Sequence, residues 1–321
     1  MDKAEVSVIV LTYNSDFEKL KKTLLSVLNQ KGLDFEVIVC DDGSKEKCFD
    51  EIKKLFDEHG FKNYKFVDNK ENKGTIKNYL SGLYEAKGEY AFAISAGDML
   101  YDEEALKSFL SFAKENDVEI LFGDCICYNF KEGKIKIYNE EHSPRRPEIY
   151  DIGADIKKAK REMFLGDQVI GVAYFRKTEI AIKYFEKLTS LIRYAEDNPS
   201  TLFAYEEGVK INHFNRKVVW YEYATGMSNA GSSPMAQKII DEFKVIYAHL
   251  AKEYKGNVED CAMLRTSIES KKKMALTCFL KHPFIYTSHL IYQKIKKPSF
   301  YADEEAEKNK LYEYLKKLEA N

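Results

Sequence analysis

Through the first 124 residues, short apolar runs of strand length alternate with amphipathic stretches of helical spacing. This period restricts the possible folds more than any other feature. VSVIVL (6–11), FEVIVC (35–40), YKFVDN (64–69), YAFAI (90–94) and VEILFGD (118–124) read as strands. Between them, Phe17, Leu20, Leu24, Val27 and Leu28 share one helical face, as do Phe49, Ile52, Leu55 and Phe56, and then Ile76, Tyr79, Leu80 and Leu83. Ser15 or Asp16 caps the first helix, Gly88 is expected to close the third, and Asp102 to open the next. Such alternation means βαβ units with right-handed crossovers. The fold class is therefore α/β, with a mostly parallel sheet flanked by helices.

Later segments are less regular. A hairpin is expected around Glu132-Gly133, a helix over 151–165, a strand at 171–175, a helix at 178–188 and a strand at 217–223 that carries the only tryptophan, Trp220. From Pro234 onward the pattern is helical, over 234–254, 258–281, 284–297 and 303–319, with Pro283 and Pro298 as breakers. We expect a catalytic domain over 1–230 and a helical C-terminal extension over 231–321 that packs back on it through one apolar face per helix.

A net charge of −2 gives no general pull toward nucleic acid. The six cysteines (Cys40, Cys48, Cys125, Cys127, Cys261 and Cys278) form no C-x-x-C pair, which fits buried thiols in a reducing cytoplasm. MDKAEVSVIVL has an acid at once and does not read as a signal peptide, and no apolar run is long enough to span a membrane.

In open α/β sheets, ligands bind at the carboxyl ends of parallel strands. Three features fall there: Thr12-Tyr13-Asn14 after the first strand, Asp41-Asp42 after the second and Ser95-Ala96-Gly97-Asp98 after the fourth. Tyr13 can stack on a base. A carboxylate can accept from a base N–H, and Asp98 can ligate a hard cation that bridges phosphates. A phosphate-binding Gly-rich loop would instead mark a nucleotidyltransferase, and none lies near Val6–Asp16.

VSVIVLTYNS, SVLNQ (26–30), FEVIVCDDGS, ENKGTIKNYLSGL (71–83) and AKGEYAFAISAGDML (86–100) together resemble glycosyltransferase family 2, which has the Rossmann-like GT-A fold. The resemblance covers 5–112 and resumes over 166–228 with GDQVIGVAYFRK, AEDNP and KVVWYEYATGMS. It implies inverting transfer of a sugar from a nucleotide-diphosphate sugar, by default a UDP-sugar, to a glycan or lipid-linked acceptor in cell-surface polysaccharide synthesis. By position, Thr12, Tyr13, Asn14, Asp41, Asp42, Asn72, Lys73, Gly74, Asn78, Ser95 and Gly97 would form the donor pocket. Asp98 would hold a divalent metal, Mn²⁺ or Mg²⁺, and Asp197 would be the catalytic base. Inversion needs one in-line displacement, so a carboxylate must take the acceptor proton as the hydroxyl attacks.

The chain departs from the family's Asp-x-Asp-Asp in having Ser95 and Gly97 where acids are usual. This departure motivates a second reading, a weakened nucleotide- or glycan-binding scaffold. Arg176-Lys177 is read as a solvated turn, His213 as structural and at least one of Trp220 and Tyr221, which could line an acceptor site, as core. Lys271–Ala302 holds seven lysines and no acid, interleaved with aromatics. Such a segment fits peripheral contact through 271–297 with an anionic membrane, at the inner face of the cell membrane if the protein is cytoplasmic.

Overall fold

The computed structural model describes residues 4–131, 133–138, 144, 146–165, 171–223, 234–251, 271–295 and 303–320. Outside these lie the 166–170 and 224–228 parts of the family-like motifs, Glu132, the ends of the helices expected over 234–254 and 258–281, Cys261 and Lys296-Lys297.

Strands β1 (Val6–Thr12), β2 (Phe35–Asp42), β3 (Tyr64–Asn69) and β4 (Tyr90–Ser95) are mutually parallel, in the order β3-β2-β1-β4. The sheet continues from β4 through β8 (Tyr174–Lys177), β6 (Ile120–Lys131), β9 (Ile211–Glu222) and the short β5 (Met99–Leu100), with β7 (Lys134–Tyr138) paired to β6. β8 is antiparallel to both β4 and β6, whereas β9 runs parallel to β6. The fifth strand of the alternation is therefore not the next parallel neighbour. A strand from 50 residues later in the chain inserts beside β4, and the sheet is parallel in its first half and mixed in its second. The β6–β7 hairpin forms where the turn residues placed it, with Lys131 opposite Lys134 and Gly133 at φ 75°.

The helices are α1 (Phe17–Leu28), α2 (Phe49–Glu58), α3 (Thr75–Leu83), α4 (Ala105–Glu115), α5 (Ile156–Leu165), α6 (Thr178–Thr189), α7 (Asp197–Glu206), α8 (Pro234–Ala251), α9 (Lys271–Lys281), α10 (Pro283–Ile295) and α11 (Glu304–Ala320). Asp16 caps α1 by accepting from Lys19 N–H at 3.0 Å, a bond worth about 1 kcal/mol.

β1, β2 and β4 are buried on both faces, which is why their apolar runs do not alternate with polar residues, whereas β3 at the sheet edge is half exposed. Val8, Val10, Val37 and Val39 join Leu20, Leu24, Phe56 and Phe109 on one face. Ile9, Ile38 and Cys40 join Ile76, Tyr79, Tyr184 and Phe185 on the other. Leu311, Leu315 and Leu318 of α11 belong to the first cluster, and Ile246, Tyr247 and Leu250 of α8 to the second. The α9–α10 pair has only a small buried cluster of its own around Cys278 and Tyr286, and leaves Leu280 70% and Phe284 89% exposed.

Two expectations about helix ends are corrected. α3 ends at Leu83 with Tyr84 as its cap, and Gly88 lies where the chain crosses β1. A Cβ at Gly88 would sit 2.5 Å from Ser7 N, so the residue is small for close approach and not for capping. Asp102 does not open α4, which begins at Ala105. Its carboxylate accepts from Glu104 N–H and pairs with Arg216 at 3.0 Å.

Candidate functional site

The ends of β1, β2 and β3 are stitched together by two carboxylates. Asp41 accepts from Ser44 N–H at 2.8 Å, Ser44 Oγ at 2.5 Å and Thr12 Oγ1 at 3.1 Å. Ser44 Oγ accepts in turn from Asn14 N–H, and Asn14 Oδ1 from Lys45 N–H. Asp42 reaches the other way and accepts from the N–H groups of Lys73 and Gly74 at 2.7 and 2.9 Å. Burial holds the Asp42 carboxyl above its usual range, and the two N–H donors work against that shift. Gly43, at φ 75°, allows both turns, since a Cβ there would meet the Glu71 backbone at 2.5 Å.

The expected pocket residues therefore divide. Tyr13 is half exposed at the mouth. Thr12, Asp41, Asp42 and Asn78 are buried, and Asn78 donates to Cys40 O beneath the Asp41-Asp42 turn. Asn78 supports the crevice from behind instead of lining it.

At the end of β4, Ser95 is exposed, Gly97 is buried at φ 101° and Asp98 is 5% exposed. Thr23 of α1 pins this turn: its hydroxyl accepts from Gly97 N–H and donates to Ser95 O. Asp98 accepts from Glu222 N–H at 2.9 Å, and burial pushes its carboxyl up to about 8. Glu222, at the end of β9, aims its carboxylate at the Gly97 backbone; a Cβ at 97 would lie 2.2 Å from Glu222 Oε2. Both Glu222 oxygens accept from Lys19 Nζ at 2.8 Å.

A divalent cation needs carboxylate oxygens free to turn toward it. Asp98 Oδ1 accepts from a backbone N–H, Glu222 is paired with Lys19, Ser95 is neutral and Gly97 has no side chain. No three His, Cys, Asp or Glu side chains converge on one point among the described residues. As arranged, this donor set fits a resident Mn²⁺ or Mg²⁺ poorly: Asp98 brings a single carboxylate, already bonded through one oxygen, and Glu222 is paired with a cation.

Asp197 begins α7 and follows Glu196. Burial raises both carboxyls, and repulsion by Asp197 raises Glu196 further, while Arg176 opposes both shifts. Arg176 is not in a solvated turn. It is 4% exposed on β8, with its guanidinium 4.0 Å from the Tyr174 ring centroid. Gly171 leaves room for the Asp197 side chain, since a Cβ there would be 2.8 Å from Asp197 Cβ.

The acid-bearing loop is fastened to the β2–β3 side. Ile76 N–H donates to Arg193 O at 3.2 Å, and Arg193 donates to Asn72 Oδ1 at 2.6 Å. Glu242 of α8 accepts from three successive N–H groups, those of Arg193, Tyr194 and Ala195, at 2.8–2.9 Å. A cavity of about 380 Å³ lies at this junction, lined by Asn72, Lys73, Lys77, Ile192 and Arg193 among others. Sequence reasoning put Arg176 in a solvated turn and did not single out Glu222 within KVVWYEYATGMS; it missed Lys19, Arg193 and Glu242, whose contacts are made far along the chain. His213 is structural, its Nε2 donating to Asp124 Oδ1 at 3.0 Å, and Trp220 is fully buried.

The family model described as glycosyl transferase family 2 matches residues 7–175, just over half of the chain. A poly(ribitol-phosphate) β-N-acetylglucosaminyltransferase, TarP of Staphylococcus aureus strain N315, is 37% identical over 123 residues, which is 37% of this chain and 36% of the relative. An uncharacterised glycosyltransferase of Methanocaldococcus jannaschii is 29% identical over 175 residues, 50% of this chain and 60% of the relative. The chain thus spans only part of these relatives. Among solved structures, S. aureus TarS 1–349 in complex with UDP-GlcNAc superposes with a TM-score of 0.58 at 17% identity, covering 89% of this chain and 79% of that one. A mannosyltransferase from Pyrobaculum calidifontis in complex with GDP-Man and Mn²⁺ gives 0.55 at 15% identity, covering 90% and 74%. These two structures share the GT-A fold with the chain.

Proposed function

The chain belongs to glycosyl transferase family 2, and from that premise we propose that it moves a sugar from a nucleotide-diphosphate sugar, a UDP-sugar first, to a glycan or lipid-linked acceptor in cell-surface polysaccharide synthesis, with inversion. One observation carries the reading. The Arg193–Asn72 contact ties the loop that leads to Glu196-Asp197 to the loop that Asp42 closes, which supports a base beside a nucleotide crevice.

The residues act in order. The nucleotide lies across the ends of β1 and β2, with Tyr13 stacked on the base and Asn14, Asn72, Lys73 and Gly74 around it. Asp41 and Asp42 hold the two turns rigid. Ser95 and Gly97 border the diphosphate at the end of β4. Asp197 takes the acceptor hydroxyl proton as the oxygen attacks the anomeric carbon in line with the departing nucleoside diphosphate. A positioned base of this kind contributes about 10²–10⁴-fold. Arg176 keeps Asp197 ionisable in its buried setting. No step here passes through a metal ion.

The catalytic unit is taken as 1–230 and the helical extension as 231–321. No helix of the described residues is long and apolar enough to cross a membrane. Leu276, Phe279, Leu280, Phe284, Leu290 and Ile291 are nonetheless exposed on α9 and α10, in a stretch that carries lysines and no acid. We place this pair on an anionic lipid surface, at the inner face of the membrane in a cytoplasmic protein. Cosedimentation with phosphatidylglycerol vesicles, lost in Leu280→Glu/Phe284→Glu, supports that placement. Equal sedimentation of the two proteins contradicts it.

The test of the donor reading is a thermal-shift panel of UDP-, GDP- and dTDP-sugars, since a ligand that binds only the folded state raises Tm by mass action. A rise with one nucleotide series is expected. No rise with any of them would contradict donor binding. Binding without any transfer would favour the second reading, a scaffold, which the acid-poor Ser95–Asp98 turn motivates.

A further inference from the structure

The end of β4 offers a different answer to diphosphate charge than a chelated metal. β1 pairs with β2 on one side and β4 on the other, so the crevice of this sheet opens between the ends of β1 and β4. Lys19 stands on α1, with its Nζ on the Glu222 carboxylate that lies against Gly97 just past the end of β4. It lies one turn before Thr23, on the same helix face, and Thr23 is the residue that grips Ser95 and Gly97. Glu222 then fixes the Lys19 ammonium with both oxygens at 2.8 Å.

The two members of the pair are not equally accessible. The Glu222 side chain is 6% exposed and the Lys19 side chain 44%. The acid is thus the anchor, and the ammonium is the part a ligand meets. An ammonium has three N–H donors, and two of them satisfy Glu222, which leaves one for an incoming oxygen. Lys19 also sits in the first turn of a 12-residue helix, where the backbone dipole favours an anion.

The arrangement requires glycine at 97. Its backbone at φ 101° disfavours any side chain, and a Cβ there would be 2.2 Å from Glu222 Oε2, so a side chain at 97 would also push the Glu222 carboxylate from its present place. With Asp98 Oδ1 on Glu222 N–H, the cation these described residues bring to the turn is the Lys19 ammonium.

We infer that Lys19, held by Glu222 over Gly97, is the cation this chain presents to the diphosphate of its nucleotide donor, in place of a resident divalent metal. The inference rests on the nucleotide-sugar reading above. Titration calorimetry of UDP, GDP and dTDP and of the corresponding monophosphates, in EDTA and in Mn²⁺, tests it on the whole chain. In EDTA the wild type is expected to bind one diphosphate more tightly than its monophosphate. Lys19→Met should weaken that diphosphate about tenfold, or about 1.4 kcal/mol, and leave the monophosphate unchanged. Lys19→Arg should retain most of the preference. Unchanged melting of both variants shows that they fold. Diphosphate binding that needs Mn²⁺ and is indifferent to Lys19→Met overturns the role of Lys19 and leaves the donor reading intact. No nucleotide binding by the wild type in either buffer overturns both.

Discussion

Arg193 donates to the side-chain oxygen of Asn72 at 2.6 Å, across 121 residues of sequence. This contact ties the loop that carries the acid pair to the loop that closes over Asp42, and it lies at the rim of the 380 Å³ cavity. Arg193 is exposed, so its loss should barely change stability, by no more than about 1 kcal/mol. Arg193→Ala is expected to raise KM for the donor several-fold at nearly constant Tm. Steady-state kinetics with a melting curve checks this, and an unchanged KM would detach the two loops functionally.

Glu242 reaches the same loop from α8. Its carboxylate satisfies three consecutive N–H groups, and bonds to a charged acceptor are each worth about 1.5–3 kcal/mol. Glu242→Ala should speed amide exchange at 193–195 and lower kcat, because Asp197 follows directly, while nucleotide affinity stays close to wild type. Hydrogen exchange resolved by residue reads out the first effect and single-turnover rates the second.

Gly43→Ala is expected to fail in two ways. Position 43 is at φ 75°, and its Cβ would meet the Glu71 backbone at 2.5 Å. Such a substitution should destabilise by more than about 1 kcal/mol. It should also weaken nucleotide binding, because the Asp41 and Asp42 turns diverge from this residue. A lower Tm with unaltered nucleotide affinity would show that the turn is architectural only.

The acid pair gives stability and activity opposite pH trends. Burial raises both Glu196 and Asp197 above their ordinary values of 4.5 and 3.8. A carboxyl raised in the folded state favours folding while it is neutral. That contribution is whole below the unfolded value and is lost as pH rises through the folded one. With Asp197 as the proposed base, transfer requires it ionised, so rate should climb over the range in which stability declines. The two acids titrate as a pair. Glu196→Gln removes one charge and should move the acidic limb of the rate profile to lower pH. A limb that stays in place would separate Glu196 from the base.

Much of this fold was readable from the residues. The apolar runs of β1, β2 and β4 and the helical faces of α1–α3 bury the side chains that their periods imply, because local pattern and tertiary burial agree there. The place of β8 was not readable. Tyr174–Lys177 is four residues long, and nothing in YFRK states that it will slip between β4 and β6. The site divides in the same way. Tyr13, Asp41, Asp42 and Ser95 stand at strand ends and announce themselves by position. Lys19, Arg193, Glu222 and Glu242 act through contacts made across 47 to 203 residues of chain, and no spacing rule reports them. Asn78 lay in a recognisable motif, yet its side chain supports the Cys40 carbonyl from behind.

The central claim is that Asp197 acts as the base beside an intact nucleotide crevice. Its most direct test is Asp197→Asn, assayed for nucleotide-sugar binding by calorimetry and for transfer in single turnover. Donor affinity is expected within about twofold of wild type, with a transfer rate lower by about 10²–10⁴-fold. Transfer at the wild-type rate in that variant would contradict the claim.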